Sequence, residues 1–191
     1  MKSIEDLVDI NHKKVLLRLD LNVPIENGKI MDETRINKIL PTIKLLLKKN
    51  AKIIIISHTG RPKGKFDNEL SLKPICENLE KKIKTHVKLI SKNVKQINSF
   101  DFFDDNKFRI VMLENIRFYK EEEENNDEFA KHIASLAEIF VNDAFSCSHR
   151  AHSSIDGIPK FLPSYSGLQL ETEINALKKI TSEIEKPVSL I

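Results

Sequence analysis

The chain has 191 residues, 40% hydrophobic and 31% charged, with a formal net charge of +3. That balance excludes a disordered chain, which lacks the apolar residues to offset ordering entropy, and the length suits one domain with a full core. The longest apolar runs, such as Ile53 to Ile56, have four residues, far short of the ~20 of a membrane helix, and the acids near Met1 argue against a signal peptide.

Residues 15–23 alternate, with apolar side chains at odd positions and Arg18, Asp20 and Asn22 between them. This predicts a first strand carrying those three polar groups on one face and ended by Pro24. Asp32 is a plausible N-cap for a helix from Glu33. Pro41 predicts a break near Ile39–Leu40, followed by a second helix to Lys49. The β-branched run from Lys52 to Ser57 reads as a strand covered on both faces. A loop from His58 to Gly64 follows, then Ser71 as N-cap of a helix over 72–84. Strands are expected at 87–91, 109–113 and 139–142, and an amphipathic helix at 127–137. A helix over about 168–183 and a sixth strand at 188–191 complete the pattern. Strands alternating with helices at this spacing imply an α/β domain: a doubly wound, Rossmann-like parallel sheet of about six strands with helices on both faces.

Cysteines are few, Cys76 and Cys147, which fits a reduced chain better than a disulfide framework. The pI of about 8.7 is only a weak hint of anionic partners. The choice of cation says more. Twenty-five lysines stand against six arginines, so each arginine is a marked choice. Arginine grips phosphate or carboxylate through a planar fork, which lysine lacks.

Ligands of open parallel sheets bind beyond the carboxyl ends of the strands. Those ends would deliver Asp20 and Asn22, then His58 and Arg61, then Arg117, then His149, Arg150 and His152. Arg35 follows the first strand and would reach the same rim. Forks from separate loops can meet only at a point, so the ligand should be small and doubly anionic. Asp20 and Asn22 add a hydroxyl-binding pair. A phosphorylated hydroxy-acid fits that set.

Blander readings stand beside these. Arg18 and Asp20 would pair across a strand face for structure alone. His149 and His152 lack Cys, Asp or Glu partners in ligand register, so no metal is expected. Glu121 to Glu124 reads as a solvated loop run. Cys147 has no evident base and orienter, so it is not read as a catalytic thiol. Phe100 and Phe103 read as a local hydrophobic anchor. Neither a Gly-x-x-x-x-Gly-Lys-Ser/Thr nor a Gly-x-Gly-x-x-Gly loop is present, so the residues offer no cradle for nucleotide phosphates.

The segment Lys14-Val15-Leu16-Leu17-Arg18-Leu19-Asp20-Leu21-Asn22-Val23-Pro24 resembles the signature of the phosphoglycerate kinase family. Further matches follow in order: Asp32-Glu33-Thr34-Arg35-Ile36, Leu40-Pro41-Thr42-Ile43, Ser57-His58-Thr59-Gly60-Arg61-Pro62, Glu114-Asn115-Ile116-Arg117-Phe118, and Asn142-Asp143-Ala144-Phe145 ahead of His149-Arg150-Ala151-His152. The resemblance covers the whole chain.

The resemblance implies a glycolytic, cytoplasmic, monomeric enzyme that moves a phosphoryl group between ATP and the carboxylate of 3-phosphoglycerate with Mg²⁺. It implies two domains, with the phosphoglycerate on the N-terminal one. Residues 1–186 would be that domain and 187–191 the start of the segment leading to a nucleotide domain. By position, Asp20 and Asn22 fall to the substrate hydroxyl. His58, Thr59, Gly60, Arg61, Arg117 and Arg150 fall to the substrate, with the imidazole and guanidinium groups on its 3-phosphate. Arg35 would face the carboxylate and stabilise the phosphoryl group in transit. Mg-ATP or Mg-ADP would bind the full-length protein and not this chain alone, and no metal site is expected here. The chain alone would bind the acid without turnover, because half of the positioning is absent.

Two departures stand out. Ser146-Cys147-Ser148 replaces the family's usual Gly-Thr-Ala, which bears on the aim of Arg150. The chain also stops where the family continues into a Gly-rich nucleotide segment. The competing reading is a non-catalytic remnant or interaction domain that keeps the fold. Nucleic-acid binding through the lysines would need a basic face, and the lysines are spread among acids. Neither nucleic acid nor membrane is expected as a partner.

Overall fold

The β-branched run from Lys52 to Ile56 can satisfy its backbone and bury both faces only at the centre of a sheet. The computed structural model, which describes residues 2–98, 102–103 and 108–181, places it there. In chain order the strands are β1 (Lys2–Ser3), β2 (Lys14–Leu19), β3 (Ile25–Glu26), β4 (Lys29–Ile30), β5 (Lys52–Ile56), β6 (Val87–Ile90), β7 (Ile110–Leu113), β8 (Ile139–Asp143) and β9 (Ser164–Ser166). The helices are α1 (Thr34–Lys48), α2 (Lys73–Ile83), α3 (Lys120–Glu123), α4 (Asp127–Ala134) and α5 (Leu168–Thr181).

Seven strands form one sheet in the order β1-β9-β8-β2-β5-β7-β6, and every pairing is parallel. A small antiparallel hairpin, β3–β4, lies apart. The strand period of two sorts the central residues to opposite faces. Val15, Leu17, Leu19, Ile53 and Ile55 pack with Ile36, Ile39, Ile43 and Leu46 of α1 and with Ile75 and Leu79 of α2. Leu16, Ile54, Ile56 and Phe140 pack with Phe129, Ala130 and Ile133 of α4. The sheet is thus covered on both sides, an α/β Rossmann-like fold.

Expectation and structure differ at several points. The sheet expected to have about six strands has seven; β1 and β9 add to the expected set, and the strand expected at 188–191 lies outside the described residues. So do the domain boundary at 186/187 and Phe100, whereas Phe102 and Phe103 are buried edge-on at 6.1 Å. Pro41 does not break the helix; α1 runs unbroken across it. An interior proline costs about 3 kcal/mol. Burying Ile36, Ile39, Ile43 and Leu46 returns about 1.5–3 kcal/mol each, so packing wins.

The first strand stops at Leu19, four residues early. Ser57 takes over there: its hydroxyl donates to the Leu19 carbonyl (2.7 Å) and accepts from the Leu21 amide (3.2 Å). Asp20 and Asn22 therefore sit on a loop rather than beside Arg18 on a strand face. Finally, the run Glu121 to Glu124 is not a solvated loop. Its first three residues lie in α3, and Glu122 is wholly buried.

Asp32 and Ser71 each stand one residue before the N-cap rather than at it: the N-caps are Glu33 for α1 and Leu72 for α2, and neither caps with its side chain. Asp32 Oδ1 accepts from the Thr34 amide at 2.8 Å, with α1 starting at Thr34 rather than Glu33. Ser71 Oγ accepts from the Lys73 amide at 3.2 Å. Arg109 serves the far end of the sheet, where its guanidinium donates to the Leu47 carbonyl at 2.8 Å.

Candidate functional site

The chain leaves β2 toward β5 on one side and leaves β8 toward β9 on the other. That divergence opens a crevice at the carboxyl ends of β2 and β8, where open α/β sheets bind ligands. A pocket of about 340 Å³ lies there, lined among others by Asp20, Arg35, Lys38, Ser146 and Glu173. The Arg35 guanidinium forms an ion pair with Asp20 Oδ2, and Ser146 Oγ donates to the same oxygen at 2.5 Å. Arg35 is 46% exposed and Asp20 14% exposed at the side chain, so the pair is open on the cationic side.

A second group of residues continues from this crevice. Asn22 Oδ1 accepts from the Gly60 amide at 2.9 Å, and the Gly60 carbonyl accepts from Arg117 Nη1 at 3.3 Å. Gly60 sits at φ +64°, and a Cβ there would meet the Leu70 side chain at 2.6 Å. Glycine is what that turn admits. Asn115 holds the loop from below, donating to the carbonyls of Thr59 (2.8 Å) and Leu70 (2.9 Å). Phe66 covers Phe118 with ring centroids 4.9 Å apart, which pins the outer part of the same loop.

Beneath the loop lies a buried polar network. Arg18 has no exposed surface. Its Nε donates to Ser154 Oγ (3.0 Å) and its Nη2 meets His58 Nδ1 (2.9 Å). Ser154 in turn donates twice to Glu122, from its amide (2.9 Å) and from its hydroxyl (2.6 Å). The His152 ring lies 3.9 Å from the same carboxylate.

Burial, and then the Arg18 charge, hold His58 far below the ordinary imidazole range. Burial lowers His152 as well, with Arg117 adding to the effect. Arg117 is lowered by burial, with Arg18 and Arg150 opposing its charge and Glu123 favouring it. Burial pushes Glu122 up while Arg18 and Ser154 pull it down. The sum is a zone where like charges crowd.

Contacts thus link Asp20, Arg35, Asn22, Gly60 and Arg117 into one chain. His58, Arg117, Arg150 and His152 share one electrostatic field. Thr59 is held by its carbonyl. Arg61 is exposed, and among the described residues its side chain has no ion pair or hydrogen bond to bring it to the others. The Ser146-Cys147-Ser148 stretch needs no glycine, since none of the three takes a positive φ. Ser57, Glu122 and Ser154 were missed from sequence. Serines carry little pattern, and a buried glutamate inside an acidic run looks like its exposed neighbours.

Residues 4–191 match the family model described as phosphoglycerate kinase. The chain belongs to the phosphoglycerate kinase family. It is 50% identical over 194 residues to the phosphoglycerate kinase of Wolbachia pipientis subsp. Culex pipiens, covering 99% of this chain and 47% of that protein. The corresponding protein of Coprothermobacter proteolyticus is 45% identical over 197 residues, covering 100% and 49%. Among solved structures, phosphoglycerate kinase from Coxiella burnetii superposes with a TM-score of 0.85 at 39% identity, covering 97% of this chain and 46% of that one. The one from Pyrococcus horikoshii OT3 gives 0.86 at 30%, covering 98% and 47%. The chain spans about half the length of the curated relatives it matches. No helix among the described residues is long and apolar enough to cross a membrane.

Proposed function

We propose that this chain is the N-terminal, phosphoglycerate-binding domain of a phosphoglycerate kinase. The full-length protein would transfer a phosphoryl group between ATP and the carboxylate of 3-phosphoglycerate in the cytoplasm, as a monomer. The observation that carries this reading is the gathering of the Arg18, Arg117 and Arg150 charges around the buried, uncharged His58 and His152 at the carboxyl edge of the sheet. Such a field costs stability until a dianion enters.

In this reading His58, Arg61, Arg117 and Arg150 hold the 3-phosphate, and the Gly60 turn with Thr59 presents them. Asp20 and Asn22 take the substrate hydroxyl, as acceptor and as donor–acceptor. Arg35 exchanges part of its ion pair with Asp20 for the substrate carboxylate and then stabilises charge on the phosphoryl group in transit. The nucleotide and Mg²⁺ fall to the half of the relatives not spanned here, since no phosphate-cradling loop is present in this chain.

Calorimetry on the 191-residue chain with 3-phosphoglycerate tests the reading. A saturable heat is expected, lost in Arg117→Ala. Silence at millimolar ligand from a chain with a cooperative melt overturns it in favour of a remnant domain. A coupled assay is expected to show no ATP-dependent turnover by this chain.

A further inference from the structure

Glu122 is a wholly buried carboxylate, and nothing in the proposed chemistry uses it. Both of its oxygens accept, one from the Ser154 amide and one from the Ser154 hydroxyl. That hydroxyl has a single proton and spends it on Glu122, so toward Arg18 it can only accept, and Arg18 Nε donates to it. The direction of the relay is therefore set by chemistry rather than by choice.

The other end of Arg18 obeys the same logic. Guanidinium nitrogens donate and never accept. Arg18 Nη2 at 2.9 Å from His58 Nδ1 thus makes Nδ1 the acceptor, with no proton of its own. A neutral imidazole with Nδ1 bare carries its proton on Nε2. His58 Nε2 makes no hydrogen bond among the described residues. It is left as an N–H donor.

We infer that Glu122 is a positioning residue: through Ser154 and Arg18 it fixes His58 as a neutral Nε2–H donor for the phosphate of the ligand. The assignment of the ligand rests on the proposed phosphoglycerate site; the assignment of the tautomer does not. The device suits a crowded basic edge. A neutral donor adds a hydrogen bond without adding a further positive charge beside Arg117 and Arg150. Arg18, tied at both ends, cannot swing out to compete for the ligand.

The test uses the 191-residue chain with ¹⁵N-labelled histidine, the His58 resonances being assigned by their loss in His58→Asn. At pH 7 the wild type is expected to show the Nε2–H form. In Ser154→Ala, which cuts the relay, and in Glu122→Gln, which removes its anchor, His58 is expected to exchange between tautomers. Affinity for 3-phosphoglycerate is expected to fall roughly tenfold, the scale of one hydrogen bond to a charged group. Ser154→Thr keeps the hydroxyl and should restore both readouts.

A wild-type His58 that is charged or carries its proton on Nδ1 overturns the inference. So does an unchanged tautomer with unchanged affinity in a folded Ser154→Ala or Glu122→Gln chain. A wild type that shows the expected tautomer but binds no 3-phosphoglycerate overturns the substrate reading and leaves the relay standing.

Discussion

The two sides of the candidate site are built on opposite plans. On the α1 side, Asp20 and Arg35 pair with each other at the mouth of an open pocket, and solvent reaches both. On the α4 side, Arg18, Ser154 and Glu122 are sealed and each holds the next in a fixed direction. The open pair can exchange partners when a ligand arrives. The sealed network cannot, and it sets the geometry of His58. One side adapts and the other pre-organises. Affinity follows from the rigid side because ordering is complete before binding.

The comparison breaks hardest at Arg18. Arg18→Met leaves Glu122 buried without its cation, and urea titration should show a loss of about 3–5 kcal/mol. The double variant Arg18→Met with Glu122→Met removes both charges and should recover part of that loss. A full loss in both chains would mean that packing, not charge, is at stake. At the boundary between the two sides, Gly60→Ala should cost about 1–2 kcal/mol for the left-handed backbone. Leu70 is flexible at the point of contact and should give way. A neutral result by thermal melting would mean the turn flips instead.

Acid sharpens the contrast. The folded chain refuses a proton at His58 that the unfolded chain accepts near pH 6.5. The unfolded state then binds more protons, so stability falls as pH falls below that value, by up to about 1.4 kcal/mol per pH unit. Glu122 and Asp143, both pushed up by burial, act with the opposite sign. The difference between wild type and His58→Gln isolates the imidazole: the variant should melt with a shallower acid slope. The smallest effect belongs to the open side. Arg35→Ala should change stability by less than about 1 kcal/mol, as exposed pairs do, while the heat with 3-phosphoglycerate diminishes.

Much of this architecture is legible in the letters. Ile53–Ile56 reads as a strand covered twice, and Asp32 and Ser71 mark the helix starts to within a residue of the true N-caps, Glu33 and Leu72. What escapes the sequence is non-local. β1 and β9 have two and three residues, too few for a pattern, and form because β9 pairs along β8 and β1 then pairs along β9. Pro41 is carried by packing on partners far along the chain. The site was half legible. Strand-end logic names Asp20, Asn22, His58 and Arg117, which lie together at the carboxyl edge because loops display their chemistry, and Arg61, which stands exposed and apart from them. Ser154 meets Arg18 across a sequence separation of 136 residues, and nothing in either local segment announces the other.

The pairing of Lys2 with Tyr165 has a consequence in time. As the chain leaves the ribosome, β2, β5, β7 and β6 can assemble early, but the other edge of β2 waits for β8, and β1 waits for β9. Nascent chains would carry an unpaired central strand edge from the emergence of β2 until that of β8, which is an invitation to aggregation that chaperones exist to decline. Pulse-labelled exchange during refolding should show amides of β5 and β7 protected before those of β9. Simultaneous protection would place closure of both edges in a single step.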